Sequence, residues 1–73
     1  MMTPKPGKRI RACRIALNLT QKQVCDKADI SASFYSEVEN DKRNVSALNL
    51  YHIARCLGVT MDYLMTGEQV EDE

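Results

Sequence analysis

Apolar residues return along the chain at three- and four-residue intervals, the spacing that lines one face of an α-helix, with no two-residue alternation of the kind that marks a half-buried strand. A local signal marks where such helices begin. Leu19-Thr20 is followed by Val24, Ile30-Ser31 by Tyr35, Val45-Ser46 by Leu50, and Val59-Thr60 by Leu64. Each hydroxyl can accept a hydrogen bond from the open N–H groups of a first turn, and each preceding apolar residue can staple onto the fourth helical position. Thr20 and Gln23 also have the spacing of a capping box.

These starts and the apolar faces behind them predict five helices. The first spans residues 7–17, with Ile10, Cys13, Arg14 and Leu17 on one face. The second, 21–28, turns Val24, Cys25 and Ala28 inward, and the third, 32–40, does the same with Tyr35 and Val38. The fourth, 47–57, buries Leu50, Ile53, Ala54 and Leu57 before Gly58 ends it in a left-handed turn. A short fifth helix covers 61–65. Only Asp29 and Ile30 separate the second helix from the cap of the third, enough for a sharp bend. Two short helices joined in that way form a helix-turn-helix unit, so the expected class is all-α.

Composition narrows the possibilities. A chain of 73 residues makes one small domain with a thin core, poorly suited to a deep catalytic cleft. No apolar run approaches the ~18 residues of a membrane span, and no signal-peptide pattern opens the chain, which points to the cytoplasm. Cys13, Cys25 and Cys56 lack any C-x-x-C pairing and read as reduced thiols, and His52 reads as a solvated residue on the outer side of the fourth helix. No metal-ligand spacing or nucleophile–base pairing appears, so neither a cofactor nor an enzymatic activity is expected. The formal net charge is zero, yet all ten Lys and Arg lie within residues 1–67 alongside six acids, while Glu68, Glu71, Asp72 and Glu73 make the end acidic. The expected organisation is a flexible arm at 1–6, a basic domain at 7–67 and an acidic, disordered tail at 68–73.

Two stretches, LTQKQVCDKADISASFYSEVENDKR and LGVTMDYLMTGE, carry a more specific pattern. Arg14, Leu19-Thr20-Gln21, a small residue at Cys25, Ser31, Glu39, Leu57-Gly58-Val59 and Tyr63-Leu64 together resemble the Cro and lambda-repressor type of helix-turn-helix domain, the XRE family. The resemblance covers nearly the whole chain and implies a compact five-helix lambda-repressor-like domain whose third helix lies in the major groove of DNA. Where the family usually has glycine, this chain has Asn18, Asp29 and Asp41. After glycine, asparagine and aspartate best tolerate positive φ, so the same backbone remains open to it.

On this basis the outer side of the third helix supplies the candidate base readers: Ala32, Ser33, Ser36, Glu37 and Asn40, with Phe34 beside them. Serine can donate or accept, Glu37 can accept from the cytosine amino group, and Ala32 or Phe34 can touch a thymine methyl. Phosphate contacts are expected from Gln21, which matches the family's phosphate-contacting glutamine, from Ser31 at the helix start, and from Lys5, Lys8, Arg9, Arg11, Lys22, Lys42 and Arg43. Arg14 and Glu39 occupy the two positions that the family joins in a partly buried ion pair. Met61, Tyr63, Leu64 and Met65 exceed what so short a helix can bury and are expected to form a homodimer interface. The functional expectation is a bacterial or phage transcriptional regulator, a repressor foremost, that binds a palindromic double-stranded operator as a homodimer in association with the nucleoid. It needs neither a membrane nor a small-molecule ligand. The alternative is a protein-interaction module on the same fold, antitoxin-like or antirepressor, favoured by the zero net charge and the acidic tail.

Overall fold

The computed structural model of the protein describes residues 5–68. It contains α1 (Gly7–Ala16), α2 (Gln21–Ala28), α3 (Ala32–Glu39), α4 (Ala47–Leu57) and α5 (Met61–Thr66), with no strand among the described residues. The four hydroxyl caps work as their spacing implies. Thr20, Ser31, Ser46 and Thr60 accept hydrogen bonds from the backbone N–H groups of Gln23, Phe34, Asn49 and Tyr63. The Gln23 side chain returns the favour to the Thr20 N–H at 2.8 Å, completing the capping box.

Helix ends are equally regular. Asn18, Asp29, Asp41 and Gly58 lie at φ 59°, 58°, 57° and 69°. After each of them the next N–H reaches back five residues: Leu19 to Arg14, Ile30 to Cys25, Lys42 to Glu37 and Val59 to Ala54, at 2.9–3.1 Å. This is the Schellman closure, which satisfies a carbonyl that a finished helix would otherwise leave open. Leu19, Ile30 and Val59 therefore end one helix, immediately precede the cap of the next, and pack against the core. One residue serves two elements, which is how connections this short are possible.

Ile10, Val24, Tyr35, Val38, Ile53 and Leu64 are fully buried at the centre, and Cys25, Ala28, Leu50, Ala54 and Leu57 complete the core. α2 packs on α3 and α4, α1 bridges the same two helices from the other side, and α5 closes against α4. α1 lacks a side-chain cap from Pro6. Its Gly7 N–H donates instead to the Asp41 carboxylate at 3.0 Å. Here the chains approach so closely that a Cβ on Gly7 would stand 2.5 Å from the Val38 carbonyl and 2.6 Å from that of Glu39. The positive end of α1 thus sits on the negative end of α3.

Several expectations need correction. Leu17 is 49% exposed, because α1 ends at Ala16 and the turn through Asn18 carries Leu17 outward; Leu19 packs on the core from beyond that turn. α3 ends at Glu39 with Asn40 as its cap residue, and α5 runs on to Thr66. Leu64, expected at a dimer interface, is wholly consumed by the core and offers no surface to a partner. Cys25 is buried while Cys13 and Cys56 are half-buried, and burial pushes the Cys13 thiol pKa up, away from the reactive thiolate. Of the expected arm and tail, only Lys5, Pro6 and Glu68 fall among the described residues, and the remainder of both lies outside them.

Candidate nucleic-acid interface

α3 has two working sides. Toward the body, the Glu39 side chain is 1% exposed and takes the Arg14 guanidinium in a fork, Nε to Oε2 at 2.7 Å and Nη2 to Oε1 at 3.2 Å. The remaining arginine edge donates from Nη1 to the Leu19 carbonyl at 3.0 Å, which ties the α1–α2 turn to the same point. Gln21 adds a third donor, Nε2 to Glu39 Oε1 at 3.0 Å. Burial by itself would raise the Glu39 carboxyl pKa, but the hydrogen bonds, led by that of Arg14, outweigh it and hold the group below its ordinary value. Arg14 is raised in turn, chiefly by its hydrogen bond to Glu39. The Tyr35 hydroxyl is buried beside this pair without a hydrogen bond of good geometry, and burial drives its pKa upward.

The other side of α3 faces water. Ala32, Ser33 and Asn40 are exposed, while Ser36 and Glu37 are half-exposed. Ser31 is occupied as a cap, and the Asn40 amide donates to the Ser36 carbonyl at 2.9 Å. Glu37 accepts from Arg43 Nε at 2.6 Å, and the Arg43 guanidinium carbon lies 5.9 Å from the centre of the Phe34 ring.

Three of the expected cations converge. Lys5, Lys42 and Arg43 border one depression between the chain start and the α3–α4 connection, together with Asp41 and Asn44. Lys8 and Arg11 are exposed on α1, and Lys22 at the start of α2 is exposed and pairs with Asp26 at 2.8 Å. Arg9, expected at a phosphate, also braces α5. Its Nη1 donates to the Leu64 and Met65 carbonyls at 3.3 and 3.4 Å, covering the open end of α5 beneath Gly67. Sequence reasoning also missed Asp41 as the cap of α1; its position just after α3 gave no sign that it would reach Gly7, 34 residues away. At α5, Met61, Tyr63 and Met65 remain half-buried around the buried Leu64. Among the described residues no helix is long and apolar enough to cross a membrane, and no group of three or more His, Cys, Asp or Glu could hold a metal ion.

A family model described as helix-turn-helix matches residues 10–64. The immunity repressor protein of Bacillus phage phi105 is 34% identical over 67 residues, a stretch that covers 92% of this chain and 46% of the repressor. The chain therefore spans less than half the length of that relative. Control protein C.MunI of a Mycoplasma species is 37% identical over 54 residues, covering 74% of this chain and 73% of that protein. Among solved structures, the P22 c2 repressor in complex with synthetic operator 9T superposes with a TM-score of 0.82 at 29% identity, covering 90% of this chain and 100% of the other.

Proposed function

The chain belongs to the helix-turn-helix family of the Cro and lambda-repressor type, and from there we propose that it is a transcriptional regulator that binds double-stranded DNA in a sequence-specific way, as a repressor acting by occupancy. The observation that carries the reading is the division of α3. Its body side is locked by Arg14 and Gln21 on Glu39 and by the buried Tyr35 ring, so that its outer side is held at a fixed height and angle. Ser33, Ser36, Glu37 and Asn40 then have the placement to meet base edges in the major groove. Affinity comes from elsewhere. Lys5 and Lys42 border the end of the reading helix, Lys22 stands exposed on the first turn of α2, and Gln21, with one amide hydrogen on Glu39, keeps its second for a phosphate oxygen. Ser31 and the open N–H groups it leaves at the start of α3 offer a further phosphate contact.

The same reading includes a homodimer. Met61, Tyr63 and Met65 form an apolar rim on α5, and a two-fold axis there would set two reading helices about 34 Å apart, one turn of B-DNA, on a palindromic operator. The protein acts by binding and needs no cofactor.

A salt titration tests this. If three or four phosphates are neutralised per protomer, log K for duplex DNA falls against log salt with a slope of about −3 per protomer. Affinity that ignores salt, or no affinity for duplex DNA at low salt, would favour the protein-interaction reading instead.

A further inference from the structure

We infer that Arg43 is a base-reading residue, specific for guanine, and that Glu37 positions it. The inference rests on the DNA-binding reading above and sharpens it, because most protein–DNA hydrogen bonds go to phosphate and sugar and carry no sequence information.

The geometry begins with Asp41. Its left-handed backbone, φ 57°, and the Lys42 N–H closing onto the Glu37 carbonyl turn the chain sharply back at the end of α3. Arg43 is thereby returned to the outer side of the helix it has just left. There its Nε donates to Glu37 Oε2 at 2.6 Å, and its guanidinium lies over the Phe34 ring at 5.9 Å. Phe34 and Glu37 are three residues apart, one above the other on the helix surface, so the ring and the carboxylate form a corner that holds the guanidinium from two directions.

What the corner leaves free decides the chemistry. With Nε consumed, the two terminal nitrogens of Arg43 make no hydrogen bond among the described residues. A planar pair of N–H donors at that spacing matches O6 and N7 of guanine. Glu37 keeps Oε1, which can accept from the amino group of a cytosine on the neighbouring or opposite position. A phosphate contact is the poorer use of this group. The Glu37–Arg43 pair carries no net charge, whereas the neighbouring Lys42 is exposed and has no acidic partner among the described residues. The pair is also too exposed, at 60% and 43% of its two side chains, to matter much for folding. Its consequence is orientation: it fixes where a directional donor points, on the side of α3 that faces the groove.

Selection from a random duplex pool by the intact protein, with wild type, Arg43→Ala and Glu37→Ala compared, tests the inference. Wild type should recover a site with a fixed guanine in each half. Arg43→Ala should relax that position by about tenfold or more while leaving other positions selected. Glu37→Ala should weaken the same guanine preference and raise affinity for unselected DNA, and both variants should melt with wild type. If Arg43→Ala instead lowers affinity evenly over all sequences, with the salt slope shallower by about one, Arg43 is a phosphate contact and the inference is wrong. If wild type selects a site with no fixed guanine, the inference is likewise wrong while DNA binding stands. Failure of wild type to enrich any sequence would strike the DNA-binding reading itself, and this inference with it.

Discussion

Two glutamates stand two residues apart on α3, each bonded to an arginine at nearly the same distance, 2.7 Å for Glu39 and 2.6 Å for Glu37. Distance therefore does not separate them; surroundings do. Glu39 is sealed from water, has three side-chain bonds from two donors, and holds α1, α2 and α3 together. Glu37 has one donor, on a loop, in contact with solvent. An ion pair out of water is costly to break because the survivor stays unpaired, while a pair in water can be lost with little effect on folding. The first pair sets where α3 sits on the body, and the second, on the reading we propose, belongs to base recognition.

The largest effect expected from breaking this contrast is on the buried side. Glu39→Ala strands Arg14 and should cost about 3 kcal/mol of stability, read as a large drop in melting temperature. An unchanged melting temperature would mean that the pair is not desolvated. Next in size is the junction that joins the two ends of α1 and α3. Gly7→Ala drives a methyl into the Val38 and Glu39 carbonyls and should cost about 1–3 kcal/mol.

The pH dependence sharpens the same point. The Glu39 pKa is lowered in the folded protein from its ordinary 4.5, so its contribution is fully present above that value. It is lost as pH falls through the lower folded value. An acid titration of stability should accordingly be shallower for Glu39→Gln than for wild type, from pH 4.5 downward. The smallest effect belongs to the exposed side: Glu37→Ala should change stability by less than about 0.5 kcal/mol. A loss near that of Glu39→Ala would erase the distinction between the two carboxylates.

Much of this was legible in the sequence because each signal has a local cause. The hydroxyl caps and the inward faces of α2, α3 and α4 depend on neighbours within a few residues, while the left-handed turns at Asn18, Asp29 and Asp41 were legible through the family's glycines at those positions. The Arg14–Glu39 pair came from family resemblance, which encodes a long-range contact that no periodicity reports. What escaped were the other long-range contacts. Asp41 on Gly7, Arg9 on the end of α5, and Gln21 on Glu39 each join residues brought together only by packing. Leu17 escaped for a different reason, since its apolar spacing is correct but the helix stops before it can be used. Arg43 and Glu37 were each singled out, yet only the backward turn at Asp41 put them side by side.

The division of α3 is tested most directly by following backbone amide NMR shifts of the intact protein as a duplex pool is added at low salt. The account predicts that the largest changes fall on Ser33, Ser36, Glu37 and Arg43, then on Gln21, Lys22 and Lys42, while the exposed His52 and Arg55 of α4 stay still. Changes confined to α5, or none at all, would contradict it.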